Sequence, residues 1–172
     1  FDIITDTGRK VKIAIISKLM IPDVSLISPR TTITMDRHLT ASTGMDALTH
    51  AIEAYVSNAS SPVTDLFALK AIGLIRDHLI DAVENLKDMA ARESMMLASL
   101  YAGLAFSNAS LGMVHAMAHS LGGLLDLPHG ECNAILLEHV VEFNFVSAVR
   151  RYLDVARALG VKIESQAGEG AK

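Results

Sequence analysis

The sequence predicts a mainly α protein, a helical bundle preceded by a small β-hairpin. Beyond about residue 40, long segments carry apolar residues at helical spacing and are separated by loop signals such as the Asn, Ser and Pro of 58–62. Before residue 33 the chain instead shows short β-branched runs divided by Asp, Gly and Pro. A third observation is the hydrophobic content of 51%, which is enough to form a core in 172 residues.

The N-terminal part contains three short candidate strands. FDIIT (1–5) and VKIAIIS (11–17) flank the turn residues DTGRK, so they predict a hairpin, and VSLIS (24–28) predicts a third strand that Pro29 closes. A hairpin and one strand are too small to form a sheet with its own core. We therefore expect residues 1–32 to be the remnant of a domain whose main body lies upstream, and residues 33–172 to form the helical domain.

The helical part divides into six predicted segments. Thr43 is the expected N-cap of the first helix, Ser61 caps the second with Pro62 in its first turn, and Gly160 ends the last. We expect buried apolar faces that include Leu66 on the second helix and Leu97 and Leu104 on the third. The predicted helices run approximately over residues 43–56, 62–80, 85–106, 111–125, 132–144 and 147–159.

Composition excludes several classes of function. The net charge is −4 with acids and bases interspersed, so there is no basic footprint for a nucleic acid. No apolar run reaches the roughly 18 residues that a membrane helix needs. The single cysteine, Cys132, is expected to be a buried inert thiol and is compatible with a reducing cytoplasm. The apolar excess indicates surface for a neighbouring domain or for a homo-oligomer.

Histidines and one acid form two pairs at helical spacing. Asp46 and His50 are four residues apart, as are His115 and His119, and His129 follows in a Pro-His-Gly loop signal. Residues at i and i+4 lie on one face of a helix, so either pair can point at one centre. Alone, each pair has an ordinary alternative: Asp46 as an acid favoured by the helix dipole, and the histidines as core residues. We expect His78 to be solvated and His139 to be packed.

Two long segments carry a family resemblance. TGMDALTHAIEAY and GLAFSNASLGMVHAMAHSLGGLLDLPHGECNAILL resemble the iron-containing (group III) alcohol dehydrogenases, and the similarity extends from the hairpin to about Leu159. The resemblance implies the helical metal-binding domain that these enzymes share with dehydroquinate synthase-like proteins. It also implies that Asp46, His50, His115 and His129 are metal ligands. Three nitrogens and one oxygen suit Fe(II), which we expect, and also Zn(II).

The resemblance implies further roles beside the metal. His119, on the same face as His115, would line the pocket and relay a proton as a catalytic residue. Lys12 matches a lysine that reaches the nucleotide, although an ordinary exposed strand lysine is an equal alternative. The cofactor would be NAD or NADP, and the substrate a small alcohol or aldehyde, consistent with the apolar residues Phe106, Leu111 and Met113 near the site.

The chain also departs from the family. Members are more than twice as long and carry a glycine-rich phosphate-binding turn, for which we find no match here. We therefore expect a fragment that binds metal weakly and does not turn over alone. Alternatives remain open: a non-catalytic helical fragment that binds metal or oligomerises, a glycerol dehydrogenase-like relative, or a dehydroquinate synthase-like relative, which would need phosphate-binding basic residues near the site.

Overall fold

The computed structural model describes residues 2–15 and 17–163, and it is mainly α-helical, as predicted. Two strands form an antiparallel hairpin, and short 3-10 turns follow at Lys18–Met20 and Pro29–Thr32. Six helices then complete the fold. The elements are β1 (Asp2–Asp6), β2 (Val11–Ile15), α1 (Arg37–Val56), α2 (Pro62–Glu84), α3 (Met89–Ala109), α4 (Met113–Leu125), α5 (His129–Phe145) and α6 (Val149–Ala158).

The predicted third strand at residues 24–28 is wrong. In the described part of the chain the sheet has only the strands β1 and β2, and residues 24–28 are irregular. The side chains of Val24 and Leu26 are 75% and 93% exposed, so the segment packs on nothing that would order it as a strand. Prolines at 22 and 29 also limit its ability to pair, because each lacks a backbone donor.

Helix α1 begins six residues earlier than predicted. Its N-cap is Asp36, whose carboxylate accepts a hydrogen bond from the Leu39 amide at 2.8 Å. Thr43, the predicted cap, lies inside the helix and its hydroxyl donates to the Leu39 carbonyl at 2.7 Å. Asp46 therefore lies in the third turn of α1, and its interpretation as an acid near the positive end of the helix dipole is wrong.

The other helices lie within a few residues of their predicted positions. Ser61 and Thr64 form a capping box at the start of α2, and Asp88 caps α3 through the amides of Ala90 and Ala91. Helix α5 starts at His129, whereas the sequence indicated a loop at this residue and a helix from 132. His129 is therefore placed by a helix, and its orientation depends on how α5 packs.

Small residues form much of the core between α1, α2 and α3. The most deeply buried positions on these helices are mainly alanines, together with Ile72 and Ile75. The predicted burial of Leu66, Leu97 and Leu104 is wrong, because these side chains are 72%, 37% and 39% exposed. Alanine faces allow helix axes to approach closely, which leaves the longer side chains at the edge of the interface. The alanines of these helices that are at most 1% exposed are Ala51, Ala54, Ala68, Ala71, Ala82, Ala98, Ala102, Ala105 and Ala109.

Arg151 fastens α6 to the first two helices. Its guanidinium donates to the Tyr55 carbonyl at 2.5 Å, forms an ion pair with Asp65, and lies 3.9 Å from the centre of the Tyr55 ring. The Tyr55 hydroxyl in turn donates to Asp154 of α6 at 3.0 Å. These contacts hold the C-terminal helix against the back of α1, on which the candidate site is built.

Within residues 2–15 and 17–163, no single helix is long and apolar enough to span a bilayer. Only α3 and α4 taken together reach that length and composition, and they are bent by 104° where they meet.

Candidate metal centre

The candidate site lies where α1, α4 and α5 meet. Helix α1 contributes Asp46 and His50, one turn apart, while α4 contributes His115 and α5 contributes His129. One carboxylate oxygen, Oδ1 of Asp46, lies 3.5 Å from Nε2 of His115 and 3.5 Å from Nε2 of His129. The other oxygen lies 3.8 Å from Nδ1 of His50. Three imidazoles therefore surround a single carboxylate.

Ring packing holds His50 in place. Its imidazole is stacked between Phe106, at a centroid distance of 4.5 Å, and His115, at 4.3 Å. One ligand atom from each of Asp46, His50 and His115 lies within 4.8 Å of the others, which is close enough for one ion to be bound by all three.

Glu53 orients the most buried histidine. Its carboxylate oxygen Oε2 lies 2.6 Å from Nδ1 of His115, and the two side chains are only 5% and 2% exposed. A carboxylate that accepts a hydrogen bond from Nδ1–H leaves the Nε2 of neutral His115 with its lone pair directed towards Asp46. Metal-binding histidines are usually oriented in this way: one ring nitrogen binds the metal, and the other donates its hydrogen to a second carboxylate.

Asn133 bridges the same atoms from α5. Its amide nitrogen lies 2.5 Å from Oδ1 of Asp46 and 3.2 Å from Nε2 of both His115 and His129. An amide group has two hydrogens, so it cannot satisfy three acceptors at once. Nδ1 of His129 and Oδ1 of Asn133 are themselves buried without a hydrogen-bond partner among the described residues. More acceptor atoms converge here than the available donors can satisfy, as is expected at a site that binds a cation.

The pKa values reflect burial and the shared carboxylate. Burial lowers the pKa of His50 and of His129 to about 4 in each case, although the charge of Asp46 opposes the change. Burial alone would raise the pKa of Asp46, but the hydrogen bond to His115 and the nearby imidazoles lower it overall. Near neutral pH the site therefore offers an ionised carboxylate and two neutral imidazoles, which is the protonation state that a metal requires.

The pKa of His115 is raised, in contrast to those of His50 and His129. Burial alone would lower its pKa, but hydrogen bonds to Asp46 and Glu53 raise it above the usual value. In the absence of a cation, a proton on His115 therefore offsets the two carboxylates that face it. A divalent ion would take over this role by displacing the proton on Nε2.

His119 lies at the edge of the cluster. Its ring stacks on His129 at a centroid distance of 4.9 Å and meets the edge of the His115 ring at 6.1 Å. Burial lowers the pKa of His119, and the positive charges of His115 and Lys12 lower it further. The structure thus brings His119 beside the candidate ligands, one ring away from the carboxylate.

Lys12 reaches the site because β2 lies directly on α4. Gly122 and Gly123 make this approach possible, since an added Cβ on Gly123 would lie 3.2 Å from the Lys12 amide nitrogen. The Lys12 ammonium lies against Gly122, where an added Cβ would be 3.1 Å from Nζ. The hairpin therefore contributes a cation to the rim of the cluster.

A cavity of about 420 Å³ opens beside the histidines, between the hairpin and helices α3 and α4. Phe106 and Leu111 line it, together with His115 and His119. Met113, which we expected near the site, instead lines a separate cavity beside Glu53 and α6. The walls of the first cavity are mainly apolar, with the imidazoles at one end.

The remaining histidines lie outside the cluster. His38 contacts Glu131 at 2.8 Å and its side chain is 69% exposed. The predicted packing of His139 is wrong, because its side chain is 66% exposed on the outer face of α5. Cys132 is buried, as expected.

Sequence reasoning missed Glu53 and Asn133. Both had a signal in the spacing: Glu53 follows Asp46 by seven residues and so lies on the same face of α1, and Asn133 follows His129 by four. Neither residue type stands out as a ligand, however, and the contacts that give them importance join residues 62 and 87 positions apart.

Comparison with known proteins identifies relatives of this chain. The family sequence model for the C-terminal part of the Fe-containing alcohol dehydrogenase family matches residues 40–172. The chain is 50% identical over 161 residues to the 1,3-propanediol dehydrogenase of Klebsiella pneumoniae, covering 94% of this chain and 42% of that protein. It is 44% identical over 161 residues to the NAD-dependent methanol dehydrogenase of Bacillus methanolicus, with the same coverage of 94% and 42%.

Solved structures share the fold. A crystal structure of 1,3-propanediol oxidoreductase matches with a TM-score of 0.91 and 49% identity, over 95% of this chain and 43% of that one. The chain thus spans about two-fifths of the length of these relatives. Because the family model covers more than half of the chain and includes every helix that carries a candidate ligand, this protein belongs to the iron-containing alcohol dehydrogenase family.

Proposed function

We propose that this chain is the helical metal-binding part of a dehydrogenase that interconverts a small primary or secondary alcohol and its aldehyde or ketone with NAD or NADP. The observation that carries the proposal is the convergence of Asp46, His50, His115 and His129, from three helices, in a chain of this family. We infer that these four side chains hold one divalent ion, Fe(II) rather than Zn(II).

The ligand chemistry supports a borderline divalent metal. Three imidazole nitrogens and one carboxylate oxygen suit both Fe(II) and Zn(II), and the preference for iron follows the family. When bound, such an ion supplies Lewis acidity to an alcohol or carbonyl oxygen. The residues of this chain then have the task of binding the substrate, excluding water and moving a proton.

His119 is the proposed proton relay. In alcohol oxidation the carbon gives a hydride to the nicotinamide, and the hydroxyl proton must leave towards solvent. His119 lines the cavity next to His115, and its lowered pKa keeps the imidazole neutral near pH 7, so it can accept that proton. In the reverse direction the same group returns the proton to the product oxygen.

Lys12 is the proposed contact with the nucleotide. Its ammonium lies against Gly122, three residues beyond His119 on α4, and it belongs to a hairpin that packs against that helix. A positive charge at that position suits the phosphates or the ribose of a dinucleotide.

The cavity supports a small and weakly charged substrate. Its walls include Ile3, Phe106 and Leu111, and among the described residues that line it the two histidines are the only titratable groups. The names of the relatives, a propanediol and a methanol dehydrogenase, are consistent with short alcohols or diols. We further infer a cytoplasmic protein that forms homo-oligomers, with no nucleic-acid or membrane partner.

Metal content tests the centre directly. The purified 172-residue chain is reconstituted anaerobically with Fe(II) or Zn(II), freed of loose ions and analysed for metal, beside an Asp46→Ala, His115→Ala double variant. We expect up to one ion per chain, lost in the variant. Equal metal content in the two proteins would overturn the assigned ligands.

A chimera tests the activity. Residues 1–163 replace the matching segment of the Klebsiella pneumoniae 1,3-propanediol dehydrogenase, and NADH formation is measured with short alcohols and diols. We expect turnover that needs metal and is lost with His115→Ala, while the 172-residue chain alone is inactive. A chimera that binds metal but oxidises no alcohol would favour the non-catalytic alternative.

A further inference from the structure

The carboxylate of Glu53 accepts hydrogen bonds from several groups at the start of α4. Its side chain is 5% exposed, and each carboxylate oxygen accepts from the start of α4. Oε1 accepts from the Val114 amide at 2.7 Å, and Oε2 accepts from the Gly112 amide at 2.9 Å as well as facing Nδ1 of His115 at 2.6 Å. Three donors from one short segment thus converge on a carboxylate of α1.

These bonds replace the cap that α4 lacks. Gly112, the N-cap residue, has no side chain to accept from the free amides of the first turn. Glu53 supplies that acceptor from another helix, and its negative charge lies at the positive end of the α4 dipole. The start of α4, and with it His115, is therefore attached to the helix that carries Asp46 and His50.

The same carboxylate sets the tautomer of His115. An ionised carboxylate can only accept, so neutral His115 must carry its proton on Nδ1 and present a lone pair on Nε2. Nε2 faces Oδ1 of Asp46 at 3.5 Å. We propose that Glu53 is a positioning residue that prepares His115 for metal binding, an inference that rests on the proposed function.

The chemistry of this position requires a carboxylate. Both oxygens accept hydrogen bonds from N–H groups, whereas a glutamine would place an amide NH₂ against one of these donors. If that NH₂ faced His115, it would favour the tautomer with the proton on Nε2, where the metal is expected to bind. Glu53→Gln therefore changes the hydrogen-bond pattern while keeping the volume of the side chain.

Gly112 is part of the same arrangement. A Cβ at this position would lie 2.7 Å from Oε1 and 3.1 Å from Cδ of Glu53, so the carboxylate has to move if residue 112 gains a side chain. The backbone of Gly112, with φ of −124°, is in a region open to alanine. Gly112→Ala therefore displaces the carboxylate without removing its charge.

The first experiment measures the tautomer without any metal. Nitrogen-15 imidazole spectra of the metal-free chain are recorded at alkaline pH, where imidazoles are neutral. We expect His115 to carry its proton on Nδ1 in the unsubstituted chain and to shift towards the Nε2 form in Glu53→Gln. A proton on Nε2 in the unsubstituted chain would overturn the proposal, whether or not the variant folds.

The second experiment measures the affinity for Zn(II) and for Co(II), whose visible spectrum reports the ligand geometry. We expect Glu53→Gln to bind about 10- to 100-fold more weakly, and Gly112→Ala to weaken binding in the same direction. The matched control is Asp65→Asn, which removes a carboxylate that pairs with Arg151 on the other side of α1.

The outcomes separate this inference from the proposed function. Metal affinity and Co(II) spectra that are unchanged in both Glu53→Gln and Gly112→Ala would overturn the positioning role. Equal weakening in Asp65→Asn would also overturn it, because the loss would then reflect stability alone. Absence of metal binding by both the unsubstituted chain and the chimera would refute the proposed function instead, and the metal-free tautomer would be unaffected by that result.

Discussion

At the scale of single residues, one half-buried carboxylate organises the site. Asp46 faces three imidazoles and an amide, and these groups come from helices α1, α4 and α5. The imidazoles of His50 and His129 resist protonation because burial penalises their charged form and because His115 carries a positive charge nearby. The folded chain thus binds fewer protons at these two positions than the unfolded chain does.

This difference predicts how stability depends on pH. For both histidines the pKa falls from 6.5 in the unfolded chain to about 4 in the folded one. The two neutral imidazoles therefore contribute fully to the free energy of unfolding above pH 6.5, and this contribution is lost as the pH falls towards 4. Urea unfolding of the metal-free chain should show a free energy of unfolding about 3 kcal/mol lower at pH 5 than at pH 7.

Two variants test the origin of that pH dependence. His129→Gln should reduce it by about half. His139→Gln replaces a histidine that is 66% exposed on the same helix and should leave it unchanged. His115 has a raised pKa, so its stabilising contribution is complete below pH 6.5 and is lost mainly at higher pH, which leaves this comparison unaltered. If the unsubstituted chain, His129→Gln and His139→Gln all showed the same pH dependence of the free energy of unfolding, the assignment of this dependence to His129 would be wrong.

At the scale of helices, the distance between ligands depends on a direct backbone contact. A Cβ on Gly130 would lie 2.2 Å from the Ser42 carbonyl oxygen, so α5 touches the backbone of α1 at this point. Gly130 is adjacent to His129, and Ser42 lies one turn before Asp46. The absence of a side chain at position 130 therefore sets how close His129 can come to the carboxylate.

The contact gives a prediction for Gly130→Ala. The new methyl group meets backbone that cannot rotate away, so we expect the free energy of unfolding to fall by about 1–3 kcal/mol. The metal affinity should fall as well, because α5 carries His129 outward. Chemical denaturation and Zn(II) titration measure the two effects.

Gly103→Ala is the matched control. Gly103 lies inside α3, and a Cβ there would meet nothing within 4 Å. Because alanine favours helix more than glycine, this variant should gain about 0.5–1 kcal/mol and keep its metal affinity. Loss of stability in Gly103→Ala, or none in Gly130→Ala, would count against this account of the packing.

At the scale of the whole molecule, the described surface carries more apolar area than the site explains. On α5 and just beyond it, Ile135, Phe143 and Val146 are 68%, 70% and 81% exposed. The hairpin adds Ile4 and Ile13, at 52% and 43%. Extended apolar surface of this kind favours association with other protein surfaces.

We therefore predict concentration-dependent self-association of the 172-residue chain, measured by light scattering. An Ile135→Glu, Phe143→Glu double variant should reduce the mean mass at a given concentration, because charges on the α5 face oppose its burial. Val63→Glu, which alters an exposed apolar residue on α2, is the control and should have little effect. A monomeric unsubstituted chain at high concentration would refute the prediction.

The sequence by itself determined the class of fold, the approximate positions of six helices and the two pairs of candidate site residues at i, i+4 spacing. Each of these follows from local patterns, because apolar periodicity, capping residues and i, i+4 spacing act within a single helix. The long motifs also identified the family. Local patterns failed in two places. Asp36 is the cap that was expected at Thr43, and residues 24–28 are irregular and exposed instead of forming a strand.

Only the tertiary structure decided which groups act together. The contacts of Glu53 with His115 and of Asn133 with Asp46 join positions 62 and 87 residues apart, and the approach of Gly130 to Ser42 depends on how two helices cross. No periodicity within one helix encodes these distances. They are set by the packing of α1, α4 and α5, where small residues let the backbones approach and leave one carboxylate facing three imidazoles.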